Sequence, residues 1–423
     1  MKRACLIVSF AVMASCVLAG VSFGGPWGEF AVYPNSNPLL SDQEKPDICE
    51  MTDAKGSIFH RIVWQQLAKI EGTSDWHWDI WGGDMTAEEI VIYPVAQYPA
   101  PDESDPFASN QENPAVFEDK IVWQDDYWGD YDIYVVDIGY PSGPIELALT
   151  PYPHDQSNPA VSGNIVVWQE EAVWQTDQGQ DMIDWDIWGA DVTDPNYAEE
   201  FTIAALEADQ QAPAIFRNNV VWEDHYYPDS DLFVSDVWRR NNPVSHAVSL
   251  GEDIDEERPA VWGDIAVWQE RTGGQEDIWA ADVSDPENPR RFAVCQEAHS
   301  QTNPDVGDNL VVWQDFRNGH DWDIYGYNLT TGQEFQITDD DAHQMNPAVA
   351  GNVVVWQDIR DGYWQIYAAE LYGAEVARCE VRVAGDVTGD CMVNIRDLAE
   401  LAAGWLDCGL DTPEACGFAG GLK

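Results

Sequence analysis

The sequence has few basic residues. Lysine and arginine together number 20 against 76 aspartates and glutamates, which gives a formal net charge of −56 at pH 7. A field of this sign repels the phosphates of nucleic acids and the anionic surfaces of membranes, so neither is expected as a partner. The acidity fits either a solvated surface or cation binding, and composition alone does not separate these two.

Methionine is also scarce, at 7 residues, whereas tryptophan and tyrosine number 21 and 16. Aromatic side chains favour strands, so this balance predicts many short β-strands rather than helical bundles. The hydrophobic fraction of 45% is ordinary for a globular protein. It excludes global disorder despite the charge.

Long apolar runs are missing beyond the first residues. Lys2 and Arg3 precede an apolar run over residues 4–18, and small residues follow it, which predicts a secretory signal peptide over residues 1–24. No later run reaches ~18 apolar residues, so we expect no transmembrane segment in the mature chain. We expect a secreted or cell-surface protein, with the periplasm as the alternative. Lipid attachment through Cys16, which ends a lipoprotein-like Met-Ala-Ser-Cys box, is not expected.

Familiar motifs for metal binding and catalysis are absent as well. Six cysteines remain after the leader, an even number that permits disulfides in an exported chain. None has Cys-x-x-Cys spacing, so a zinc site or a redox pair is not expected. The sequence also lacks Gly-x-Ser-x-Gly, His-Glu-x-x-His, a phosphate-binding glycine loop and a sialidase-type Asp box.

The sequence does contain a seven-fold repeat. One copy has Asn-Pro-Ala-Val at residues 346–349, Val-Val-Val-Trp-Gln at 353–357 and Gln-Ile-Tyr at 365–367. The central tryptophans of the copies are 43 to 59 residues apart, near the ~40–50 residues of a four-stranded propeller blade. They are Trp64, Trp123, Trp168, Trp222, Trp268, Trp313 and Trp356. The strand around each tryptophan is apolar at nearly every residue, which is typical of a sheet covered on both faces. The repeat predicts an all-β fold, a seven-bladed β-propeller of four-stranded antiparallel blades over residues 25–383.

The units resemble TolB-like propeller repeats in their proline-containing inner strand and their Asp-Ile-Tyr-like third strand. A closed ring needs a terminal strand to complete one blade, and residues 29–33 or 379–383 could supply it. TolB-like propellers also cover the entrance of some serine peptidases. Because no hydrolase domain follows the repeat here, peptidase activity is not expected.

Residues 384–423 have a different pattern. Calcium needs six to eight oxygen ligands, which binding loops place at alternate positions and complete with a carboxylate at the twelfth. Side chains of Asp386, Thr388, Asp390, Asn394 and Asp397, with the backbone carbonyl of Met392, fit this spacing. The segment resembles a single EF-hand-like repeat of a type I dockerin, as found at the C-termini of exported planctomycete-type proteins. The resemblance implies a calcium-binding loop–helix module that docks onto a cohesin-like or other surface protein.

Residues that occur in only some blades are candidates for chemistry. The loops between second and third strands carry aromatic residues that could stack on sugar rings: Trp76, Trp78, Trp128, Trp174, Trp185 and Trp322. His154, His299 and His343 each precede an inner strand and could converge on a transition metal if they point into the central funnel.

These observations favour an exported, non-catalytic binding or scaffold protein. Its propeller face would bind a glycan or a protein, and its tail would bind calcium and a partner. The alternative is a polysaccharide-acting enzyme, a lyase or a glycoside hydrolase, with a site at the propeller axis.

Overall fold

The computed structural model describes residues 28–371, except 34–39, 54, 70–74, 87–88, 97–108, 141–142, 176–180, 195–196, 227–228, 241–242 and 251–253. The predicted signal peptide and the predicted calcium module lie outside these residues. The described residues form 28 strands and a short 3-10 helix, Val237–Arg239. None of their helices has the length and apolar character that a membrane span requires.

The strands form seven antiparallel sheets of four, which confirms the predicted all-β propeller. Blades 1 to 3 are β2 (Leu40–Thr52), β3 (Ile58–Lys69), β4 (Trp76–Met85) and β5 (Ile90–Ala96); β6 (Gln111–Phe117), β7 (Lys120–Asp125), β8 (Asp132–Asp137) and β9 (Ile145–Ala148); β10 (Gln156–Ser162), β11 (Ile165–Gln175), β12 (Asp181–Asp194) and β13 (Tyr197–Ala204). Blades 4 to 6 are β14 (Gln210–Phe216), β15 (Asn219–Asp224), β16 (Asp231–Asp236) and β17 (Ser245–Ser249); β18 (Asp255–Trp262), β19 (Ile265–Thr272), β20 (Gln275–Asp282) and β21 (Arg290–Cys295); β22 (Gln301–Gly307), β23 (Leu310–Asp315), β24 (Asp323–Asn328) and β25 (Gln333–Gln336). Blade 7 is β26 (Gln344–Ala350), β27 (Val353–Asp358), β28 (Gln365–Glu370) and β1 (Phe30–Ala31).

Blade 7 closes the ring with the first strand of the described chain. Phe30 lies opposite Ala368 in an antiparallel pair, and the Val32 amide donates to the Ile366 carbonyl at 2.8 Å. Val32 is fully buried, and the Glu29 carboxylate pairs with Arg360 at 2.7 Å. Of the two segments that the sequence left open, residues 29–33 therefore complete a blade.

The core lies between neighbouring blades. The seven repeat tryptophans are at most 1% exposed, because both faces of each second strand are covered. Val167 and Ile187 of blade 3, for example, share one apolar cluster with Trp222 of blade 4. Cys49 and Cys295, the cysteines within the described residues, are buried free thiols in blades 1 and 5.

Candidate functional site

Seven residues encircle the propeller axis near the start of the inner strands. Each directly precedes the recurring proline and has a φ of 50° to 56°. This axial ring consists of Lys45, Asn113, Asn158, Ala212, Arg258, Asn303 and Asn346. A left-handed backbone is costly for residues other than glycine, although asparagine tolerates it best. Each inner strand also has a β-bulge here, which re-aims the ring residue.

Hydrogen bonds between blades hold the axial ring in this conformation. The Asn346 amide donates to Gln314 Oε1 of the preceding blade at 2.9 Å. Six equivalent bonds complete the circle. Each acceptor directly follows a core tryptophan, and it is glutamine in every blade except blade 4, where Glu223 accepts from the Arg258 amide at 2.6 Å. The Trp-Gln repeat therefore positions the next blade's ring residue.

A cavity of about 620 Å³ opens at the axial ring. It is lined by five of the ring residues, by the prolines that follow them, and by Glu223 and Glu257. The five are Lys45, Asn113, Asn158, Ala212 and Arg258. This volume is within the ~300–1,000 Å³ of small-ligand pockets. The cavity can therefore admit a chain terminus or a small molecule, but not a folded domain.

Aromatic side chains cross the axis below the cavity. Phe117 of blade 2 and Phe216 of blade 4 have ring centroids 6.3 Å apart, and Phe216 lies 4.1 Å from Trp262 of blade 5. Blades 2 and 4 are not neighbours, so their inner strands make this contact across the centre of the ring. These three aromatic residues contact one another at the ends of the inner strands, and we call them the axial plug.

Two carboxyl groups lie between the axial ring and the axial plug. Asp47 and Asp305 occupy a position where the other five blades have alanine, and they accept hydrogen bonds from Val116 and Val349 amides of the next blades, both at 2.7 Å. Burial raises the pKa of Asp47 to about 6. Burial, and secondarily the charge of Asp47, raises the pKa of Asp305 to about 7. The pKa values of both groups are therefore raised toward neutral pH.

The three candidate histidines do not converge. His154 Nδ1 lies 3.7 Å from Glu171, His299 packs edge-on against Phe316, and His343 Nδ1 accepts from the Trp322 amide at 3.2 Å. Each therefore contacts a loop or strand of its own or the preceding blade. Within the described residues, no group of three metal-ligating side chains is found. These contacts hold the three histidines apart in the described residues, and an axial metal or lyase site on them stays a prediction.

The candidate tryptophans differ in exposure. Trp128 and Trp76 are 69% and 43% exposed, and Trp76 lies beside the Lys69 ammonium. The other four are partly buried: Trp78, Trp174, Trp185 and Trp322. Trp174 donates to Asp184 at 2.7 Å, and Trp322 packs on Phe316 at 5.1 Å. These two indoles therefore have contact partners within the protein.

The face that carries the axial ring is apolar on one side. Loops between second and third strands, and connections into inner strands, meet on this ring face, as in the 2.7 Å bond from the Gln344 amide to the Trp322 carbonyl. Blades 1 to 4 present large exposed apolar residues there, which we call the apolar crescent: Trp76, Trp128, Tyr152, Ile183, Leu206 and Tyr226. Among the described residues, no exposed large apolar side chain lies in blades 6 or 7.

Comparisons with known proteins identify the fold. No family model matches the sequence, and no curated protein does. The propeller domain of the Trilobed protease from Pyrococcus furiosus matches with a TM-score of 0.52 and 9% identity, over 80% of this chain and 96% of that one. The seven-bladed β-propeller fold is confirmed. The Pyrococcus furiosus domain is described as having an open velcro topology, whereas β1 closes blade 7 here.

Two complete peptidases also match this propeller. An acylaminoacyl peptidase from Pyrococcus horikoshii has a TM-score of 0.53 and 8% identity, over 79% of this chain and 52% of that one. A puromycin-hydrolysing peptidase from Mycobacterium tuberculosis has a TM-score of 0.50 and 14% identity, over 74% and 50%. The chain thus spans about half the length of these peptidases. The prediction of a non-catalytic binding or scaffold protein is contradicted, because the matched propellers are parts of peptidases.

Sequence reasoning missed the axial ring as a site. The signal was available, since the residue before the recurring proline is asparagine in four copies but lysine, alanine and arginine in the others. Basic residues are rare in this chain, so two of them at the same repeat position are unusual.

Proposed function

We propose that this chain provides the propeller of a peptidase and selects the peptides that reach a catalytic centre supplied by a separate peptidase domain. The matched structures support this proposal, since they are peptidases or a propeller domain of one. A fold likeness alone does not decide function, so the geometry of the site has to support it.

The observation that carries the proposal is that the axial cavity opens on the same face as the apolar crescent. The axial plug lies on the other side of the cavity, so a peptide enters from the ring face. Exposed apolar surface of this kind marks interaction sites, and a peptidase domain seated on the apolar crescent would enclose the cavity mouth. Peptides small enough for the cavity would then be presented to it, and folded proteins would be excluded.

Peptide binding to the cavity tests this proposal directly. Fluorescein-labelled peptides from a casein digest are titrated with the full chain, and binding is followed by fluorescence anisotropy. The Ala212→Trp variant fills the cavity, and we expect it to weaken binding at least about tenfold. Long side chains already occupy the equivalent ring positions at Lys45 and Arg258 with the same φ, so the variant should fold.

Ala298→Trp is the matched control, because Ala298 is exposed on a connection of the ring face and does not line the cavity. It should bind as the wild type does. The proposal is overturned if no labelled peptide binds the wild-type chain, or if both variants bind equally well.

A further inference from the structure

Lys45 and Arg258 are dispensable to the architecture of the axial ring. The four ring asparagines donate from Nδ2 to the glutamine of their own blade, at 2.7 to 3.0 Å. Ala212 shows that the ring also forms without a polar side chain at this position, because its amide still bonds to Gln169 at 2.9 Å. The backbone amide makes the inter-blade hydrogen bond at each ring position, so the ring does not need the side chains of Lys45 and Arg258.

Arg258 is unusual among the arginines of this acidic protein. Seven arginines in the described part of the chain form ion pairs with carboxylates: Arg61, Arg240, Arg271, Arg290, Arg291, Arg317 and Arg360. The exposed guanidinium of Arg258 has no ion-pair partner within the same residues. An arginine at a cavity wall with its donors unused is suited to a planar anion, since its fork matches a carboxylate.

The two acids of the cavity lining are already engaged. Glu257 accepts from Arg271 at 2.7 Å and from Gln269 at 3.0 Å. Glu223 accepts from the Arg258 amide and lies 3.4 Å from His225 Nε2. Both acids are therefore held by other contacts, and neither forms an ion pair with the Arg258 guanidinium.

Lys45 lies on the other side of the same cavity. Its ammonium donates to Asn113 Oδ1, a neutral acceptor. Burial lowers its pKa, and the charge of Arg258 lowers it further, although Glu112 and Glu44 oppose this. The two cations are thus close enough to repel each other, and an anion between them would relieve that repulsion.

The position of the axial plug restricts which anion can reach these cations. The plug lies beyond the cavity from the ring face, so a chain that enters from the ring face presents its terminus first. We propose that Lys45 and Arg258 form a carboxylate-binding site, which holds the C-terminal carboxylate of a bound peptide. This inference rests on the proposed function and adds the chemical class of the ligand to it.

Three forms of one neutral, N-terminally labelled hexapeptide test the assignment by fluorescence anisotropy with the full chain. One form has a free C-terminus, one a C-terminal amide, and one an amide with an internal glutamate. The free acid should bind about tenfold more tightly than the plain amide. A Lys45→Gln, Arg258→Gln variant should lose this preference, so that the free acid and the amide bind it equally. Arg290→Gln, at an arginine that is 75% exposed on an outer strand, is the matched control and should keep the preference.

The outcomes separate this inference from the proposed function. Equal binding of acid and amide, or an undiminished preference in the double variant, overturns the carboxylate site and leaves peptide binding intact. Failure of every form to bind contradicts both. Binding of the glutamate form as tight as that of the free acid overturns the assignment to a C-terminal carboxylate, because an internal acidic side chain would then serve equally well.

Discussion

The closure of the ring by β1 can be tested at a single side chain, Glu29. Its carboxylate is 2% exposed and pairs with Arg360, which also pairs with the buried Asp358 at 2.6 Å. Glu29→Gln removes the charge but leaves Arg360 with Asp358, so no buried charge is orphaned. Burial raises the pKa of Glu29 despite its ion pair with Arg360, so the ionised carboxylate opposes closure and a neutral amide removes that cost. That predicts a lower local opening constant for the terminal strand in Glu29→Gln, since about 1.4 kcal/mol of relieved desolvation lowers it about tenfold.

Hydrogen exchange followed by mass spectrometry measures this opening. The assay is run at pH 8, because burial raises the pKa of Glu29 and the carboxylate must be ionised. Residues 28–33 and 365–370 should exchange more slowly in Glu29→Gln than in the wild type, because the closed state of the variant no longer buries a charge at this position.

Glu334→Gln provides the matched control. Glu334 pairs with Arg317, which pairs with Asp315, in the same arrangement one blade earlier. Its strand, β25, continues directly from β24 through a short turn, so its loss should not affect residues 28–33. Exchange of residues 28–33 in Glu29→Gln that is as fast as in the wild type, or faster, would refute this account of Glu29.

Three further predictions address the rest of the molecule. Burial raises the pKa of Asp47, Asp125, Asp132, Asp186, Glu256, Asp305 and Asp323 to between about 6 and about 7. The native state therefore binds more protons than the unfolded chain near neutral pH. Tm should rise as pH falls from about 8 to about 5.5 at constant ionic strength. A Tm that falls over this range would contradict the raised pKa values. Gln314→Leu removes three hydrogen bonds and should lower the free energy of unfolding by roughly 2–3 kcal/mol in urea titrations, whereas Glu223→Gln restores the glutamine of the other six blades and should change it by less than about 0.5 kcal/mol. Calorimetry of the full chain with calcium should show binding that an Asp386→Ala, Asp397→Ala variant loses, and identical traces would exclude the predicted loop.

The strand that closes the ring could have been identified from the repeat. Glu29-Phe30-Ala31-Val32 matches Glu334-Phe335-Gln336-Ile337, the outer strand of blade 6. Both segments have the same register, since Phe30 lies opposite Ala368 and Phe335 opposite Gly326. Both segments contain a glutamate, a phenylalanine and a buried aliphatic residue in this order. This pattern indicates an outer strand, because each outer strand pairs with the same kind of third strand.

The sequence does not show why the three candidate histidines lie apart. His154 and His299 have φ values of 85° and 68°, so turns set the directions of their side chains. Those turns pack against neighbouring loops, and the imidazoles find partners there. A histidine that is close to an inner strand in the sequence therefore need not lie at the axis.

The sequence alone determined the number of blades, the buried tryptophans and the strand order, because a repeat of fixed length with doubly apolar strands has few ways to bury its surface. Tertiary structure decided where the site lies. Lys45 and Arg258 belong to blades 1 and 5, and each looks like an ordinary variant of a repeat position. Only the closed ring places both residues at one cavity. Their relative position depends on the rotation from each blade to the next around the ring and not on any local pattern.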